Sequence, residues 1–159
     1  MTENNIDAMA DEPSEQLVVP LALLRLNHLT PVRGLTRCQV LVFLAQQGGL
    51  PSDPIERSIG EVFQFAPRKH GPYSSALTDI LERATPTYVR KSEVPGAEAT
   101  SVDLEITDTG ITLLNANTSV LAIESIETLK LTKSLYNSMP VAELLDKISV
   151  AYPEHVNNK

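Results

Sequence analysis

The chain has 159 residues and a net charge of −7, which argues against general nucleic-acid binding by its whole surface. That length can bury one core without disulfide or metal support, and the single Cys38 excludes an internal bridge. The longest apolar run, LVVPLALL at 17–24, is interrupted by Pro20 and followed by Arg25, far short of the roughly 20 residues of a membrane span, so no membrane insertion is expected.

The charge is unevenly spread. Residues 1–24 sum to −5, residues 25–91 to +4 and residues 92–159 to −6, so a basic middle third lies between acidic flanks. Residues 1–16 hold five carboxylates and no Lys or Arg, the reverse of a signal-peptide leader, and are short of large apolar side chains. They are expected to be a disordered acidic tail on a cytoplasmic protein. Residues 17–159 are expected to form a single domain.

Structure is expected from Leu17, where Val18, Leu21, Leu24 and Leu29 recur near helical spacing and Pro20 fits a first turn. After the turn TPVRGL, Thr36 is a candidate cap for a helix through Gln47, ended by Gly48-Gly49. GLPSDPIERSIGE is turn-rich, and VFQF at 62–65 alternates like a short strand. Gly71-Pro72 breaks the chain, and Ser74 or Ser75 can start the helix SSALTDILERA with Leu77, Ile80 and Leu81 inward. TYVRK at 87–91 and SVDLEI at 101–106 read as a hairpin around VPGAEAT. From Asp108 the pattern is helical, with a break expected near Asn115, Asn117, Thr118 and Ser119. A last helix, PVAELLDKISVAY, has Ser138 as candidate cap, Pro140 in its first turn and Pro153 as its stop.

This order predicts an α+β, mostly α fold: a winged helix-turn-helix-like core with a small β-hairpin wing and added C-terminal helices. Helix 74–84, directly before the wing, is the one that would approach a DNA groove. The basic cluster Arg68, Lys69 and His70 stands at its N-terminus.

Three stretches resemble a bacterial and archaeal group that includes the SocA-like "Panacea" antitoxin domain and the YwgA-like proteins. They are Gly71-Pro72-Tyr73-Ser74 opening a helix, Ile106-Thr107 with Gly110, and YNSMPVAELLDKISVAYPE. The likeness runs from about Val32 to Glu154; His70 stands where the group often has an aromatic residue, and Ile148-Ser149 where it often has Val-Tyr. The resemblance implies a compact helical domain of winged-helix character with a regulatory role, as antitoxin, proteolytic adaptor or transcription-related protein. It implies no catalytic residues.

A helix N-terminus with adjacent cations is an anion site in outline, so Arg68, Lys69 and His70 are candidates to bind phosphate or an acidic protein. Ser74, Ser75 and Thr78 on the helix, with Arg83, Arg90 and Lys91 beyond it, complete the candidate surface. Gly71-Pro72-Tyr73 reads as structural, with Gly71 at an unusual backbone angle and Tyr73 as a half-buried anchor. His28, His70 and His155 lack metal-ligand spacing, Cys38 sits in an apolar helix, and Asp103 with Glu105 fits a solvent-facing strand pattern. No nucleotide, acyl-transfer or zinc-hydrolase motif is present, so no enzyme activity, cofactor or metal is expected.

Leu121, Ile123, Ile126, Leu129, Leu135, Leu144, Leu145 and Ile148 exceed what a minimal winged helix must bury, which suggests a homodimer through the C-terminal helices. Two functions follow. The first is a small DNA-binding winged-helix transcriptional regulator. The alternative is a protein-binding antitoxin or adaptor that grips an acidic partner without DNA readout, and Asp79 and Glu82 on helix 74–84 favour it.

Overall fold

The computed structural model describes residues 14–69, 71–93 and 102–156. The expected tail at 1–13 and most of the expected wing loop therefore lie outside the described residues. Within them the chain is α+β and mostly helical, with small antiparallel sheets. No helix among the described residues is long and apolar enough to cross a membrane.

The first helix, α1 (Glu15–Leu29), starts inside the span expected to be tail, and Pro20 occupies its second turn, not its first. Every residue from Leu17 to Leu24 is buried, so this is the central helix and not one with a single apolar face. It ends irregularly. Leu26 is extended (ψ 164°), and Asn27, His28 and Leu29 then take φ of +56°, +60° and +63°, a left-handed region costly for residues with a Cβ. Asn27 Nδ2 donates to Ser134 Oγ at 3.1 Å, and the Asn27 carbonyl accepts from Thr30 N and Oγ1. Leu29, expected inward, is exposed there.

Strand β1 (Val32–Arg33) leads through Gly34 to α2 (Leu35–Gln47), which is buried from Arg37 to Gln46. Gly34 is the N-cap and no side chain caps this end, so Thr36 does not have the expected role. Gly48, left-handed at φ +89°, stops the helix as expected. β2 (Gly49–Leu50) pairs with β3 (Asp53–Pro54). VFQF forms no strand. Gln46 of α2 holds Phe63 by both backbone groups, donating to its carbonyl at 3.0 Å and accepting from its N–H at 2.9 Å, and Phe63 is buried.

The strand in this region comes later: β4 (Ala66–Arg68) pairs with β5 (Gly71–Tyr73), ahead of α3 (Ser75–Ala84). β6 (Val89–Glu93) and β7 (Val102–Ile106) form the expected hairpin, and β1 joins β7 to give a sheet in the order β1-β7-β6. Directly opposed pairs cross this sheet: Arg33 to Asp103 at 3.1 Å and Arg90 to Glu105 at 3.2 Å. The two acids expected merely to face solvent are thus ion-pair partners.

Thr107 caps α4 (Asp108–Ala116) by accepting from Gly110 N at 3.0 Å. A Cβ on Gly110 would lie 2.5 Å from the Tyr88 carbonyl, so only glycine allows this helix so close to the sheet. A 3-10 turn (Thr118–Val120) marks the expected break before α5 (Ile123–Tyr136). The last helix, α6 (Val141–Ala151), is capped by Pro140; Ser138 makes no cap bond. Beyond it, Tyr152 and His155 pack on Phe43 of α2 with ring centroids 5.3 and 4.8 Å away.

Two cations lie inside. Lys133 on α5 is 2% exposed and donates to the Leu24 and Leu26 carbonyls at 3.2 and 2.8 Å, capping the regular part of α1. Arg37 on α2 donates from Nη1 to the carbonyls of Tyr136, Asn137 and Met139, the connection between α5 and α6.

Burial pushes Lys133 from 10.5 down to about 8 and the neighbouring Cys38 thiol from 9.0 up to about 12. The two act oppositely on stability. Above pH 8 the folded lysine loses its proton while the unfolded one keeps it to 10.5, so stability rises with pH. Above pH 9 the unfolded thiol ionises while the folded one does not, so stability falls. Urea midpoints should therefore rise between about pH 8 and 9 and flatten toward about pH 10. In Cys38→Ala the rise should continue, and in Lys133→Met it should vanish. A wild-type midpoint already falling between pH 8 and 9 would contradict a buried Lys133.

Candidate functional site

The hairpin β4–β5 brings Arg68 and Tyr73 onto one another. The Arg68 guanidinium carbon lies 4.6 Å from the Tyr73 ring centroid. Arg68 opposes Gly71 and Ala66 opposes Tyr73 across the hairpin, with Lys69 exposed at the turn. His70 falls outside the described residues. Gly71 has the unusual angle expected, φ +98°, and a Cβ there would meet Leu145 Cδ2 at 2.6 Å. The backbone of the motif is therefore pressed against α6, and Tyr73 is half-buried as expected. Arg68, Tyr73 and Pro72 border a cleft of about 230 Å³, closed from below by Thr36 and Gln39 of α2.

Gln39 is the residue that sequence reasoning passed over. It is 2% exposed and holds the start of α3 with three hydrogen bonds. Its Oε1 accepts from Ser74 N at 2.8 Å, and its Nε2 donates to the Ser74 carbonyl at 3.0 Å and to Thr78 Oγ1 at 2.9 Å. The signal was present: a glutamine inside the apolar run of LTRCQVLVFL must find partners if buried. Ser74 is itself buried, and its hydroxyl accepts from Leu77 N at 3.2 Å as the N-cap of α3.

The candidate binding residues thus separate by role. Ser74 and Thr78 are committed to Gln39 and the cap. Arg83 pairs with Asp79 one turn back at 3.0 Å, and Arg90 with Glu105 across the sheet. Arg33 and Arg37 of the same basic third are likewise engaged. Arg68, Lys69, Ser75 and Lys91 remain exposed, and among the described residues none of these three cations has a carboxylate partner. Arg68 and Lys69 sit on the hairpin, whereas Lys91 is on the separate β1-β7-β6 sheet. Arginine over a ring is oriented, not neutralised.

Among the described residues no group of three or more His, Cys, Asp or Glu side chains is placed to hold a metal. Cys38 is fully buried with its thiol pKa raised, which keeps it protonated and unreactive.

Gly71→Ala should destabilise the fold by more than about 1 kcal/mol, through both its left-handed angle and the Leu145 contact. Gln39→Leu should cost roughly 1–3 kcal/mol for each Ser74 backbone group left without a partner. Arg68→Ala should leave the denaturant midpoint nearly unchanged, since an exposed cation adds less than about 1 kcal/mol. An unchanged midpoint for Gly71→Ala would contradict the packing of the hairpin on α6.

No family model matches the chain, and no curated protein matches it.

Proposed function

We propose that the protein is a non-enzymatic regulatory module that acts by holding a partner protein, an adaptor or antitoxin-like domain on a winged-helix frame. One observation carries this reading: the outward face of α3 has no net positive charge. Its exposed residues are Ser75, Asp79, Glu82 and Arg83, and Arg83 is already paired with Asp79. A helix entering a DNA groove would bring those carboxylates against phosphates. The Ser74 hydroxyl is buried beneath the hairpin's end and accepts from Leu77 N, and the Thr78 hydroxyl accepts from Gln39, which turns both toward the interior of the fold. Arg68, oriented by Tyr73, and Lys69 beside it supply a compact basic contact for an acidic protein segment. The resemblance to the SocA-like group is compatible with this reading, since antitoxin and adaptor roles are among those it implies.

DNA binding is the second reading, favoured by the order of elements. The order α1, β1, α2, α3, then β6 and β7 with β1 against β7, supports this reading once the strands β2 to β5 are set aside. Residues 48–74, which separate α2 from α3, replace its short turn.

Fluorescence anisotropy with a short mixed-sequence duplex separates the two. The protein-binding reading expects affinity no tighter than about 100 μM at physiological salt. A short polyglutamate peptide should bind, and should lose binding when Arg68→Glu and Lys69→Glu are combined. Duplex affinity near 1 μM or tighter, with a log-salt slope that falls by roughly 2 in that double variant, would overturn the reading in favour of DNA.

A further inference from the structure

A second surface stands apart from the hairpin. Between α1, α4, the 3-10 turn and the start of α5 runs a groove of about 580 Å³ floored by Val18, Ala22, Leu121 and Ile126. Ile123 on its rim is 74% exposed and extends the apolar floor of the groove to the surface. At the far end of α1 this groove shares Arg25 and Leu26 with a second cleft of about 630 Å³. Asn27, His28, Lys130 and Ser134 complete that cleft. The surface is therefore apolar at one end and basic at the other. Among the described residues Arg25, His28 and Lys130 have no carboxylate partner, in a chain of net charge −7.

We propose that this groove and cleft are the docking site of the chain's own N-terminal segment, residues 1–13. The segment's composition suits the surface. The segment carries Ile6 and Met9 as apolar anchors, four carboxylates at Glu3, Asp7, Asp11 and Glu12, and no Lys or Arg. Its point of attachment matches as well. It joins the fold at Ser14, about one helical turn before Val18, and so begins at the apolar end of the groove.

Reach follows. Moving back from Ser14, Glu12 and Asp11 come first, then Met9 and Ile6 with Asp7 between them, and Glu3 last, so Glu3 is the carboxylate carried furthest toward the cations. Ser14 and Arg25 are separated by about 17 Å of helix, whereas thirteen extended residues span up to about 45 Å. The tether also decides among occupants. A short linker holds the segment at an effective concentration near the millimolar range, so modest apolar and ionic contacts suffice. A second copy of this acidic chain would have to overcome both charge repulsion and the loss of free motion.

The test uses the full chain with Asn5→Cys and a nitroxide attached there; Cys38, fully buried, does not compete. Paramagnetic broadening should at least halve the methyl signals of Val18, Ala22, Ile123 and Ile126 and leave the β1-β7-β6 sheet unaffected. Combining Arg25→Glu with Lys130→Glu, both at exposed positions, should restore those signals, as should Ile6→Glu with Met9→Glu. Broadening spread evenly over the surface, centred elsewhere, or unchanged in both double variants would overturn the proposal. Equal broadening in a mixture where label and observed nuclei are on different chains would overturn it in favour of a second copy.

Discussion

Two positive charges inside the fold end on backbone carbonyls, and the joining of the C-terminal helices to the rest depends on them. Lys133 reaches from α5 to the end of α1, and Arg37 from α2 to the turn between α5 and α6. Both cations meet the negative end of a helix, where carbonyls lack helical partners and the macrodipole favours positive charge. Removing a charge from water is costly, and these two recover that cost only by satisfying several acceptors at once. The left-handed turn at Asn27–Leu29 is held between the same groups: Lys133 below it and Ser134 beside it.

The same economy runs through the rest of the basic third. Arg33, Arg83 and Arg90 are paired, and Arg57 donates from Nε to the Gln46 carbonyl at 3.0 Å. A run of sequence with net positive charge therefore folds into a surface with few uncommitted cations. Among the described residues, those left without a carboxylate or carbonyl partner are Arg68 and Lys69 on the hairpin, Lys91 on the β1-β7-β6 sheet, and Arg25 in the cleft that Lys130 completes. The apolar face expected to bind a second copy is similarly consumed: Leu121, Leu129, Leu144 and Ile148 pack into the core, Ile126, Leu135 and Leu145 against it, and Ile123 alone of that set stays well exposed.

What could be read from sequence was what local chemistry decides. Helix 35–47 with its glycine stop, the helix launched by Ser74, the break near Asn117 and the hairpin strands all follow from periodicity, caps and turn residues within a few positions. What could not be read depends on distant partners. Strand β1 is two residues long and exists only because β7 accepts it. VFQF alternates like a strand, yet Gln46 claims the backbone of Phe63. Lys133 looks like its exposed neighbour Lys130 in sequence, and only the end of α1 makes its burial affordable. The left-handed angle of Gly71 and the half-buried Tyr73 were legible from the Gly-Pro-Tyr motif, but the roles of Ser74 and Thr78 turned on Gln39, far away in sequence.

The central claim is that a buried cation fastens the α5–α6 pair to the core. Hydrogen exchange on Arg37→Met tests it directly, since that change leaves three carbonyls without their shared donor while preserving bulk. Amides from Asn137 through Ser149 should exchange about tenfold faster than in the wild type, with those of β6 and β7 unchanged. Uniform acceleration across the chain, or none at all, would contradict the account.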